Sequence, residues 1–141
     1  MKRNGEVADH LAQVSLFSKC SSKDLAAIAK HAEVLSYEPG ATIVTQGQAG
    51  DAFFVVLDGL ATVKRNGRRV GELGPGDYFG ELALLDPGPR NADVIANDAM
   101  TVARLLVGPF RSVLQTVPAM NERLLAGLAR RVRDADRRAV E

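Results

Sequence analysis

The sequence has no tryptophan, a single cysteine and few aromatic rings, which make up 5% of its 141 residues. Platforms for stacking the bases of single-stranded nucleic acid are therefore scarce, and a core must rest on Leu, Val, Ile and Ala. Cys20 alone cannot close an internal disulfide. Without a cysteine cluster there is no thiolate set for zinc or an iron–sulfur centre. An excess of one charge is also missing: 18 Lys and Arg against 17 Asp and Glu leave +1, too weak a field to hold a polyanion. No apolar run approaches the roughly 18 residues of a membrane helix, and the opening MKRNGEVADH lacks the apolar stretch of a signal peptide. These absences argue against a dedicated nucleic-acid binder, a membrane partner and an exported chain. The expectation is a protein of the reducing cytoplasm.

What is present is a globular balance of 46% hydrophobic and 25% charged residues, in a length that suits one domain, 1–141. Three zones follow from periodicity. Residues 7–33 read as helical: Ser21 and Asp24 have capping-box spacing, and Leu25, Ile28, Ala29 and Ala32 recur at i, i+3, i+4, i+7. From 34 to 107, short apolar runs separated by glycines predict many strands in a sandwich or barrel. Asp58-Gly59 and Asn66-Gly67 tolerate positive φ and predict two consecutive hairpins. Residues 109–139 return to the helical period. Pro109 suits a helix start and Phe110, Val113, Leu114 and Val117 share a face. Pro118 restarts the chain into a last helix with a seam of Leu125, Leu128, Val132, Ala135 and Ala139. That seam fits packing on the chain's own barrel or a weak homodimer. The closing RRVRDADRR is broken by Asp134 and Asp136, so it reads as a solvated helix face.

Chemistry concentrates in GPGDYFGELALLDPGPRNADVIA, 74–96. The run from Gly80 to Leu85 has the composition of a short helix begun at a glycine, whose exposed amides and partial positive charge suit a phosphate. Arg90 supplies a planar fork for two phosphate oxygens. Glu81 accepts only, which suits a ribose hydroxyl. Spacing alone leaves two readings open, a surface ion pair or a pocket for a sugar phosphate of one negative charge.

FGELALL followed by PRNA resembles the phosphate-binding cassette of the cyclic nucleotide-binding domain family, found in regulatory subunits of cAMP-dependent kinase, cyclic nucleotide-gated channels and bacterial catabolite activators. LFSKCSSKDLAAIA, PGATIVTQGQAGDAFFVVLDGLATV and FRSVLQTVPAMNERLLAGLARRVR resemble that family's opening helices, early strands and closing helices, so the resemblance spans about 120 residues. It implies an α+β, mainly β fold: a cyclic nucleotide-binding β-roll, or double-stranded β-helix jelly roll, with N-terminal helices and two C-terminal helices. It also implies a ligand, cAMP first and cGMP second. Arg90 and the backbone amides near Ala83, Asn91 and Ala92 would grip the phosphate, with Leu82 in the same run. Glu81 and the Gly80 backbone would take the 2′-hydroxyl. Val63 and Val70 would wall the base, or serve simply as core valines. Asn91 stands where the family commonly has Ser, Thr or Ala. The register that offers Thr-Ser to adenine in catabolite activators reads Ala135-Asp136 here, which leaves Arg130, Arg131 or Arg133 as candidates for the purine.

Rival functions have weaker support. A metal-dependent barrel enzyme needs inward histidines, yet His10 and His31 both fall in the helical zone. They serve a Ser-His-Asp site no better. A DNA-binding regulator needs on the order of 60–80 further residues for a winged helix-turn-helix, so the chain is expected to be a stand-alone sensor or the excised N-terminal sensor of a transcription factor or acetyltransferase. A ligand-free interaction module is a further alternative. The expected role is non-catalytic, with no cofactor and no metal: ligand binding is passed through the C-terminal helices to an unidentified effector protein or domain.

Overall fold

The computed structural model describes residues 2–14, 17–80, 88–119, 121–123, 125, 126 and 129. Two helices come first, α1 (Lys2–Ala12) and α2 (Ser22–Lys30). The Ser21 hydroxyl accepts from the Asp24 amide and the Asp24 carboxylate accepts from the Ser21 amide, each at 3.1 Å, so the capping box forms as its spacing predicts. Leu25, Ile28 and Ala29 are buried. Ala32, the fourth member of that periodic stripe, opens β1 instead, because α2 ends at Lys30.

Eight strands follow: β1 (Ala32–Tyr37), β2 (Thr42–Val44), β3 (Ala52–Asp58), β4 (Ala61–Arg65), β5 (Arg68–Leu73), β6 (Tyr78–Phe79), β7 (Asp93–Ala96) and β8 (Met100–Leu106). They form two antiparallel sheets of order β1-β8-β3-β6 and β2-β7-β4-β5. Asn66-Gly67 turns the β4–β5 hairpin with φ of 54° and 77°. The other expected hairpin does not exist: β3 and β4 belong to different sheets, and Asp58-Gly59 is the corner where the chain changes sheet. A Cβ on Gly59 would lie 2.5 Å from the Ala99 carbonyl oxygen, so the corner packs directly on the turn before β8. That contact sits forty residues away in sequence, beyond the reach of local turn chemistry.

Strand alternation divides the core in two. Ala52, Phe54 and Val56 of β3 meet Ala61, Leu73, Phe79, Val94, Ala96, Met100 and Val102 between the sheets. Phe53 and Val55 face the other way, onto Val7, Leu11, Phe17, Ile28, Phe110 and Leu114 of the helical layer. The few rings are spent at these two places: Phe53 packs 4.9 Å from Phe110 and 5.5 Å from Tyr78, and Phe54 stacks on Phe79 at 4.8 Å. Helix α3 (Val107–Thr116) follows β8 without a loop. Pro109 is its third residue, still within the first turn, where a missing amide proton costs nothing. Helical backbone resumes at 118–119 and 121–123. Leu125 is 55% exposed. The remaining seam residues, Leu128, Val132, Ala135 and Ala139, lie outside the described residues, as does the expected short helix from 81 onward.

Candidate functional site

Arg90 is fixed at both ends. Its amide donates to Gln48 O at 2.8 Å and its carbonyl accepts from Gly47 at 2.8 Å, while an isolated bridge joins Ala49 to Pro89. The side chain then runs inward, where Nη2 donates to Ala52 O at 3.0 Å. Its Cζ stands 5.7 Å from the centroid of Phe54, within the range of a cation–π contact. Phe54 is 4% exposed and backed by Phe79, so the guanidinium lies against the floor of the inter-sheet core.

Two glycines make room for it. A Cβ on Gly50 would overlap Arg90 Nε and Cζ. A Cβ on Gly80 would stand 2.7 Å from both Arg90 Nη1 and Ala52 O, and Gly80 has φ +84°. The sequence marks Gly80 as the start of a phosphate-binding run and gives its backbone to the ribose 2′-hydroxyl. The structure gives it a second task, space for the arginine. Nothing local in the sequence marks Gly50 for this task.

Ala92 is buried and Asn91 exposed. The Asn91 carbonyl accepts from Arg65 Nε at 3.1 Å. Val63 is half-buried against the inter-sheet core and pairs with Gly71 across the β4–β5 ladder. A Cβ on Gly71 would meet nothing within 4 Å, so space opens beside Val63. Val70 is half-buried at the register shift in that ladder. The structure thus places Gly80 and Arg90 together, with Asn91 and Ala92 next in the chain. Glu81, Leu82, Ala83, Arg130, Arg131 and Arg133 lie outside the described residues.

Elsewhere, burial and the nearby Asp24 carboxylate push the Cys20 thiol up from its ordinary value, which keeps it protonated and a poor nucleophile. Among the described residues, no group of three His, Cys, Asp or Glu side chains is placed to hold a metal ion, and no helix is long and apolar enough to cross a membrane.

A family model described as the cyclic nucleotide-binding domain matches residues 34–117. The chain is 38% identical to a cAMP-dependent protein kinase regulatory subunit of Mycosarcoma maydis, over 74% of this chain and 23% of that protein. It is 30% identical to a CRP-like cAMP-activated global transcriptional regulator of Mycobacterium tuberculosis, over 87% of this chain and 57% of that one. Among solved structures, the regulatory domain of Toxoplasma gondii PKA co-crystallised with cAMP superimposes with a TM-score of 0.80 at 31% identity, covering 92% of this chain and 51% of that one. The chain therefore spans from under a quarter to just over half of the length of these relatives.

Proposed function

The chain belongs to the cyclic nucleotide-binding domain family, and from that premise we propose that it is a non-catalytic sensor whose ligand is cAMP. The observation that carries the reading is the seat of Arg90: a guanidinium drawn inward over Phe54, fitted between Gly50 and Gly80 and anchored on Ala52 O. A planar cationic fork held in that position suits an anion of one charge, and a cyclic phosphate diester is such an anion. The fork takes two phosphate oxygens, and the amides of Asn91 and Ala92 add donors beside it. Glu81 and the Gly80 backbone take the ribose 2′-hydroxyl, and the Ala83 amide, with Leu82 in the same run, joins the grip on the phosphate. The space next to Val63 and over Gly71 receives the base, with Val70 at its margin and Arg131 or Arg133 closing over the purine. Relatives whose names carry cAMP favour it over cGMP.

The output runs through the C-terminal helices. Helix α3 ends at Thr116; the amide of its C-cap, Val117, bonds back to Leu114 O, and Asn121 Nδ2 donates to the same carbonyl at 3.3 Å. Pro118 interrupts the helical hydrogen-bond run there, which makes the junction the hinge on which the last helix moves over the ligand. Ligand then shifts the equilibrium by its preference for the closed form, a tenfold preference being worth about 1.4 kcal/mol. The effector is a protein or domain that reads that movement.

Calorimetric titration with cAMP tests the pocket. Arg90→Leu is expected to weaken binding by roughly 2–4 kcal/mol, since the phosphate would be buried without its charged partner. Equal affinity of variant and parent overturns the assignment.

A further inference from the structure

The tip of the β4–β5 hairpin, Arg65 to Arg68, lies beyond the residues placed against the base and is bonded to the segment that leaves Arg90. Gln46 Nε2 donates to Asn66 Oδ1 and the Asn66 amide donates to Gln46 Oε1, both at 2.8 Å, which locks the hairpin tip to the turn at 45–48. That turn holds the Arg90 backbone through Gly47 and Gln48, and the Gln46 amide donates to Asp93 Oδ1 at 2.6 Å. The last tie is Arg65 Nε on the Asn91 carbonyl at 3.1 Å.

That tie has a geometric consequence. Asn91 C=O and Ala92 N–H belong to one trans peptide plane and point in opposite directions. Fixing the carbonyl outward onto Arg65 turns the Ala92 amide away from solvent, and Ala92 is 7% exposed. Among the described residues, no group accepts from that amide. We infer that Arg65 is a positioning residue of the nucleotide site: from outside the pocket it sets the peptide plane whose N–H faces the phosphate. This rests on the cAMP reading above.

The cost of keeping arginine there supports the assignment. Arg65 stands directly opposite Arg68 in the ladder, and Lys64 opposite Arg69. Like charges in such pairs oppose hairpin formation, so a neutral residue at 65 would suit the hairpin better. Asn91 O gives the arginine a use that the hairpin does not.

Three variants separate position from charge. Arg65→Gln is expected to weaken cAMP binding about three- to tenfold, the size of one net hydrogen bond. Arg68→Gln removes the same charge from the facing strand and is expected to bind as the parent does. Arg65→Lys, which keeps the charge without the planar Nε donor, is expected to fall between the two. In the unliganded chain, the ¹⁵N–¹H resonance of Ala92 should move in Arg65→Gln and stay in Arg68→Gln, a response that a general loss of hairpin stability would not single out. Parent-like affinity of Arg65→Gln, or equal losses in Arg65→Gln and Arg68→Gln, overturns the positioning role and leaves the cAMP reading intact. Absence of cAMP binding by the parent overturns both.

Discussion

Arg90 owes its seat to two residues without side chains, and they differ in a way that can be measured. Gly50 has no positive φ and the three atoms nearest its missing Cβ all belong to the arginine head, whereas Gly80 has φ +84° and also faces a backbone oxygen of β3. Gly50→Ala therefore meets the flexible guanidinium first. Its melting temperature is expected to stay near that of the parent while cAMP affinity falls at least tenfold. Gly80→Ala adds the strain of a left-handed backbone, at least about 1–2 kcal/mol, so it should lose stability and affinity together. Differential scanning fluorimetry beside calorimetry separates the two. If Gly50→Ala bound cAMP as tightly as the parent, the arginine seat would not be the ligand's anchor. At this scale the sequence exposes Arg90 and Gly80, because they lie in one compact string. It hides Gly50 and Arg65, whose roles exist only once distant segments meet.

Elements divide along the same line between local and distant causes. The α2 cap is legible because both partners lie within three residues and bond each other's backbone. Ser21→Ala is expected to cost about 1 kcal/mol and lower the melting temperature by roughly 2–5 °C, with no change in cAMP affinity, since α2 packs on the helical core and not on the inter-sheet one. The Asn66-Gly67 hairpin is legible for the same reason. Asp58-Gly59 has equally good turn chemistry, yet a dipeptide that permits a bend does not say which strand comes next to which. Here Met100 and Ala99 occupy the space against Gly59, and β8 has already filled the side of β3 that a hairpin partner would need. The start of β1 is masked by a similar competition: Ala32 continues the helical stripe by period, but its pairing with Leu105 makes it a strand residue.

Over the whole molecule, β3 is a single layer shared by both cores. Phe54 carries the Arg90 guanidinium on one face, and its neighbour Phe53 touches Phe110 of α3 on the other. One strand thus separates the proposed ligand seat from the helix that leads to Pro118. The same sharing implies that neither core survives loss of the other, so the chain should unfold as one cooperative unit. Ligand that binds the folded form alone then raises the whole transition: at a concentration one hundred times its Kd, cAMP contributes about 2.7 kcal/mol, an upward shift of roughly 6–10 °C for a chain of this size. 5′-AMP, with a second phosphate charge and no ring ester, should shift it less. In a chain without tryptophan and with Tyr37 of the inter-sheet core replaced by Phe (Tyr37→Phe), Tyr78 fluorescence reports the helical core, where the ring stacks on Phe53, and far-UV circular dichroism reports the backbone as a whole. Coincident midpoints that rise together with cAMP are the expected result. Separate midpoints, or a shift confined to one probe, would mean that β3 does not tie ligand seat and helices into one unit, and the route from Arg90 to α3 would fail with it.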